Sequence, residues 1–135
     1  QDVLALRALS SGLCLHHDRN SDLPIPASLA DQLLCSGDED ARVCGLKVLR
    51  RMDPAEEPFT RHCLAALADR SSSVRLGGTY ELLCYYRKKT GSLLPQPPAA
   101  ALKAAVVAAR DHDSERAVCE NAAHLVDLLG QVGIA

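Results

Sequence analysis

Three tyrosines and a run of three cations are the residues of this chain best suited to chemistry with another molecule. Tyr80, Tyr85 and Tyr86 are followed at once by Arg87-Lys88-Lys89. Aromatic rings stack on nucleobases and cations neutralise phosphates, so the cluster suits a nucleic-acid strand. Lys47, Arg50 and Arg51 form a second basic group, at the equivalent end of an earlier segment. The candidate contacts for RNA or an acidic partner are therefore Lys47, Arg50, Arg51, Arg87, Lys88 and Lys89, with Tyr86 as the stacking ring. A third segment offers Glu115, Glu120 and Asp127 and breaks the stripe. The plainer account of the same residues is structural: cations complement the dipole at helix C-termini, and the tyrosines are partly buried.

Other chemistry has less to rest on. His16-His17 near Cys14, and the pair His62-Cys63, bring together metal-ligating types. Zinc needs four converging ligands, and neighbours on a helix point about 100° apart, so neither pair is a ready chelate and no metal is expected. No Ser-His-Asp set or paired carboxylates stand out. Glu56-Glu57 and Asp38-Glu39-Asp40 read as linker and capping residues. No catalytic residue, cofactor or small-molecule substrate is expected. Gly77-Gly78 follows no strand and lacks the other spaced glycines of a phosphate loop. It reads as a close helix crossing, with backbone approach to a ligand as the functional alternative.

The elements that would position these groups repeat. The stretch from Pro26 to Met52 reads as a short apolar helix, a polar turn at Ser36-Gly37-Asp38, and a second helix from about Glu39 to Met52. On that second helix Ala41, Gly45, Val48 and Met52 fall at i, i+4, i+7 and i+11, one helical face. Val43 and Leu46 lie almost opposite, so the helix needs neighbours on two sides. Looser copies start at Pro58 and Pro98, prolines suiting a first helical turn. Each copy has an aspartate five residues before a valine: Asp38 and Val43, Asp69 and Val74, Asp113 and Val118. The aspartate is placed to cap the second helix or to close the turn before it. The valines recur after 31 and then 44 residues, with the loop from Thr90 to Pro97 absorbing the longer interval. Periods of this size with paired helices predict an all-α fold, an α-solenoid of HEAT/ARM-like antiparallel helix pairs. The expectation is about three pairs, at roughly 26–52, 58–89 and 98–130, plus an N-terminal helix over residues 2–15. That first helix carries two apolar strips, Val3, Leu6, Leu13 and Leu4, Ala8, Leu15. A polar loop follows from His16 to Ile25, and Asp53 to Glu57 form a linker that no helix crosses. No segment alternates well enough to be a strand.

The totals agree with this reading. The 135 residues amount to one domain, or to a piece of a larger solenoid. With 47% hydrophobic residues, no Trp and one Phe, the core must be Leu, Val and Ala. A net charge of −2 favours no general attraction to nucleic acid. The six cysteines form no C-x-x-C pair and read as reduced, buried thiols, which suits the cytoplasm. No apolar run reaches membrane-spanning length.

The three units resemble HEAT-type repeats, whose turn carries Asp and whose second helix opens with a Val-Arg-like pair. Here those residues are Arg42-Val43, Val74-Arg75 and Arg116-Ala117-Val118. A closer resemblance rests on Leu46-Lys47-Val48-Leu49, Met52-Asp53-Pro54-x-Glu56 and Pro58-x-Thr60-x-His62-Cys63. This stretch is similar to the C-terminal part of the thyroid adenoma-associated protein (THADA) family. The resemblance implies a non-catalytic regulatory subunit that holds tRNA for an FtsJ-type methyltransferase. That partner would carry out 2′-O-ribose methylation in the anticodon loop. No family site residue transfers to a position here. The alternative from the residues alone is a HEAT-repeat scaffold or transport adaptor with only protein partners. A helical-repeat enzyme is the remaining class.

Overall fold

The turn between helices is where this sequence is most explicit, and the same turn is built three times. The computed structural model describes residues 3–19, 25–52, 54–90, 93–94 and 98–134. Among them are seven helices: α1 (Val3–Arg19), α2 (Ala27–Leu34), α3 (Glu39–Arg51), α4 (Glu56–Leu67), α5 (Ser72–Lys89), α6 (Ala100–His112) and α7 (Arg116–Gln131). The chain is thus all-helical in its main elements. The contacts divide it into two units, Gln1–His62 and Cys63–Ala135, with the boundary inside α4.

In the turn before α3, the Ser36 hydroxyl accepts from the Asp38 amide (3.1 Å), and Asp38, the N-cap, accepts from Ala41 N (2.8 Å). Before α5, the Asp69 carboxylate accepts from the Ser71 amide (2.9 Å), and Ser71 is the N-cap, accepting from Val74 N (3.4 Å). Before α7, the Asp113 carboxylate accepts from the Glu115 amide (2.9 Å), and Glu115 occupies the N-cap. Each cap satisfies or abuts the orphan N–H groups of the first turn. A side chain six residues on then donates back to the turn carbonyl. Arg42 reaches Ser36 O at 3.0 Å, Arg75 reaches Asp69 O at 3.0 Å, and the Cys119 thiol reaches Asp113 O at 3.2 Å.

This pattern corrects the register expected from the Asp–Val spacing. Ser36, not Asp38, is the counterpart of Asp69 and Asp113, so the first copy is displaced by two residues. The equivalent third helical positions are Ala41, Val74 and Val118, all buried. Four residues on come Gly45, Gly78 and Ala122, also buried.

In the first unit α3 packs against α2 and α1. Leu29, Ala30 and Leu33 of α2 meet Ala41, Leu46, Val48 and Leu49 of α3 in the core. Gly45 sets the approach of α2: a Cβ there would lie 2.9 Å from both Cγ and the amide N of Leu34. On α1 the strip Val3, Leu6, Leu13 is half-buried, whereas Leu4 and Leu15 are 68% and 61% exposed, so only one of the two expected apolar strips is covered.

In the second unit α5 is the central helix. It packs on α7 and, through Gly78, on α4, where a Cβ would come 3.0 Å from that of Ala66. It buries Val74, Gly78, Thr79, Glu81, Leu82, Leu83, Tyr85 and Tyr86. Leu102 and Val106 of α6 face Val118, Ala122, Leu125 and Leu129 of α7, two apolar stripes at helical spacing. Arg75 forms an ion pair with Asp113 (2.9 Å), both side chains largely buried, tying the start of α5 to the last turn.

Three boundaries differ from expectation. Helix α1 continues through His16, His17, Asp18 and Arg19, and the remainder of that expected loop, 20–24, lies outside the described residues. Helix α4 begins at Glu56 rather than Pro58. A proline in a first turn gives up an N–H that has no partner anyway, and Glu56 and Glu57 suit the positive end of the dipole. A two-residue parallel pair joins β1 (Leu93–Leu94) to β2 (Gly133–Ile134). Two residues are too few to show an alternation in sequence.

The cysteines are all free, but they are not uniformly buried: Cys63 is 0% exposed, Cys35 is exposed and the others are half-buried. Burial pushes the Cys63 thiol far above its ordinary pKa, with the nearby Glu81 adding to it. Brief iodoacetamide treatment of the native chain is expected to alkylate Cys35 and spare Cys63 until denaturant is added. Equal labelling of both would contradict the packing of α4 on α5.

Candidate nucleic-acid interface

Two helix ends carry the basic residues singled out in the sequence, and the fold treats them differently. On α3, Arg50 and Arg51 occupy the last turn and Lys47 the turn before. Arg51 is engaged within the unit. Its Nε donates to Asp18 Oδ1 (3.0 Å), Nη2 to Asp18 Oδ2 (3.3 Å) and Nη1 to the Lys47 carbonyl (3.5 Å). The Arg51 hydrogen bond holds the Asp18 carboxyl below the usual carboxylate range. Lys47 is exposed and Arg50 half-buried. Lys47, Arg51 and Asp18 line one cleft of ≈ 190 Å³ with Cys14 and Cys44, so the cations there already face a carboxylate.

A depressed carboxyl pKa stabilises the fold above the unfolded-state value of about 3.9, and this is lost as pH falls through the folded value. The Asp18 pair is exposed on the carboxylate side, so the effect is small. The melting temperature of Asp18→Asn is expected to fall slightly below wild type at pH 6, with the two converging near pH 2. A gap that persisted unchanged at pH 2 would rule out the ion pair as its cause.

The end of α5 is different. Arg87 and Lys88 are exposed, and neither makes an ion pair among the described residues. Lys89 is half-buried, with its ammonium 5.1 Å from the centre of the Tyr85 ring, a cation–π contact. The chain supplies no neutralising partner in sequence either. From Leu82 through Ala109 it has no Asp or Glu but carries Arg87, Lys88, Lys89 and Lys103. The half negative charge at the C-terminus of α5 offsets only a fraction of this run. The positive field at this end is therefore available to an outside anion.

Tyr86 is not the stacking ring. It is 0% exposed, and it meets Tyr85 edge to face with centroids 5.3 Å apart. Its position explains this. Tyr86 stands four residues after Leu82 and seven after Thr79, both fully buried, so it belongs to the inner face of α5. Tyr80 is 50% exposed and is the aromatic residue the sequence reading passed over. Counting back seven from Arg87 along the helical period would have found it.

Glu81 was also passed over. It is 1% exposed, at the position that Val48 and Leu125 fill in the other two second helices. Gly78 belongs to the α4–α5 crossing.

Among the described residues no group of three or more His, Cys, Asp or Glu is placed to hold a metal, and no helix is long and apolar enough to cross a membrane. No family model, curated protein or solved structure matches the chain.

Proposed function

We propose that this chain is a non-catalytic helical-repeat scaffold, part of an α-solenoid, that holds RNA through the end of α5. The observation that carries the RNA reading is the unneutralised run Arg87-Lys88-Lys89 at a helix end, within a long stretch without acid. Phosphates are the natural counterions for such a patch, and RNA is commonly gripped through its backbone. The repeat reading is supported by the turn shared by the three helix pairs, down to the side chain that returns to the turn carbonyl. It is supported further by contacts between helices two apart in sequence within each unit, α1 on α3 and α5 on α7. Arg75 reaches across to the turn of the following pair at Asp113, and Arg7 of α1 likewise reaches Asp40 at 2.8 Å and Asp38 at 3.5 Å. Repeat stacks of this kind offer extended surfaces to partners.

The THADA resemblance supplies the specific form of the proposal. The RNA would be a tRNA, and an FtsJ-type methyltransferase would bring the chemistry for 2′-O-methylation in the anticodon loop. The cytoplasm is the corresponding location. A purely protein-binding scaffold is the competing reading.

The triple charge reversal Arg87→Glu, Lys88→Glu, Lys89→Glu separates the two. Under the RNA reading, tRNA affinity falls by roughly a hundredfold or more at 0.1 M salt. The slope of log affinity against log salt shrinks by about 2–3 at the same time. Unchanged affinity and slope would reduce the patch to a helix end. Capture with the full-length protein should then recover a methyltransferase together with tRNA. Recovery of proteins alone would favour the competing reading.

A further inference from the structure

Helix α5 carries an exposed aromatic ring with an exposed cation in line with it and a second cation beside the first. Tyr80 is 50% exposed, while Tyr85 and Tyr86 are buried. Arg87 follows seven residues later, on the same side of the helix and about 10 Å along its axis, exposed together with Lys88. Helical side chains lean toward the N-terminus, so the Tyr80 ring lies over the turn that contains Gly77. Gly77 adds no side chain to that turn. Its neighbour Gly78 is accounted for by the crossing with Ala66, whereas Gly77 stands half-buried on the Tyr80 side. A glycine inside a helix costs about 1 kcal/mol relative to alanine, and this one puts no side chain of its own next to Tyr80. Cys84, one turn further on, is small and half-buried too. This side of α5 is therefore aromatic at Tyr80 and positive about two turns on, at Arg87 and Lys88.

We propose that Tyr80 is a base-stacking platform. An unpaired base of a single-stranded RNA lies on its ring, and Arg87 and Lys88 hold phosphates of the same strand. This rests on the RNA reading above and narrows it from backbone attraction to recognition of an unstacked base. A paired base has both faces covered by its neighbours, so duplex RNA would use the cations and not the ring. Sequence preference should be weak, because every base has a face to stack.

The test uses the chain's own emission, since it contains three tyrosines and no tryptophan. Titration with single-stranded oligouridylate should quench tyrosine fluorescence as the Tyr80 ring is covered. Tyr80→Phe should bind with nearly wild-type affinity while losing most of the quench, because phenylalanine also stacks and Tyr85 and Tyr86 are buried. Tyr80→Ala should bind roughly 10- to 100-fold more weakly, with its salt slope unchanged because the phosphate contacts remain. Arg87→Glu with Lys88→Glu should lose affinity and slope together. If Tyr80→Ala binds as tightly as wild type while the charge variant does not, stacking is rejected and the RNA reading stands. Equal binding of duplex RNA of the same length also rejects stacking. If the wild-type chain binds neither RNA at low salt, both readings fail. Circular dichroism of each variant establishes that the helices are intact.

Discussion

Gly45→Val is expected to cost about 3 kcal/mol, the upper end of what overpacking usually costs. The reason is what stands in the way. One of the atoms 2.9 Å from the added Cβ is the Leu34 amide nitrogen, which belongs to the backbone of α2 and has no rotamer to escape into. The Leu33 Cβ, at 3.0 Å, closes another side. The modest gain in helix propensity over glycine does not offset this. Gly12 and Gly130 supply the internal control, because a Cβ at either meets nothing within 4 Å. Gly12→Ala and Gly130→Ala are expected to stabilise by about 0.5–1 kcal/mol through propensity alone. Urea denaturation followed by circular dichroism reads all three. A Gly45→Val midpoint equal to wild type would mean that α2 and α3 do not cross where described.

Asp113→Ala should be of comparable size, about 3 kcal/mol. The Asp113 side chain has two roles. Its carboxylate accepts from Arg75 Nε at 2.9 Å and Nη2 at 3.4 Å, and from the Glu115 amide at 2.9 Å. The side chains of Arg75 and Asp113 are only 16% and 8% exposed. Removing the carboxylate leaves a largely buried guanidinium without its partner, and that loss dominates. Replacing both residues, Arg75→Met with Asp113→Leu, should recover more than half of it, since no uncompensated charge remains. By contrast Glu120→Ala, which breaks the Arg116–Glu120 pair on the open surface (92% and 59% exposed), should leave the midpoint unchanged. If Asp113→Ala is equally silent, the pair does not hold α5 to the last turn.

The helices themselves were readable because their apolar period is strong. Ala41, Gly45 and Val48 were expected on one face and are all buried, while Met52, the fourth of that face, is half-buried at the C-cap; Val118, Ala122, Leu125 and Leu129 of α7 are buried at the same spacing. The repeat register was misread because Ser and Asp exchange jobs in the turn. Either oxygen can accept from a backbone amide two residues on, or cap the helix three residues on. Asp38 caps, while Asp69 and Asp113 close the turn before the cap, and the letter alone does not say which. The misplaced ring had a different cause. Tyr86 adjoins Arg87 in sequence, but on a helix adjacent residues face different ways and residues seven apart face the same way. The inequality between the two basic ends was not readable, because the neutralising Asp18 stands 33 residues from Arg51. Charge pairing at that distance is decided by how α1 lies on α3.

The short pairing of Leu93–Leu94 with Gly133–Ile134 bears on how the second unit could be cut or grafted. A helix pair that touches its neighbours only through a helix interface can usually be excised without loss of backbone hydrogen bonds elsewhere. Here the backbone after α7 is hydrogen-bonded in parallel to backbone that follows α5. Removing α6 and α7 would strip that partner as well as the helices, and a fusion joined directly after Gln131 would displace it. Helices α5, α6 and α7 are better transplanted together than α5 alone.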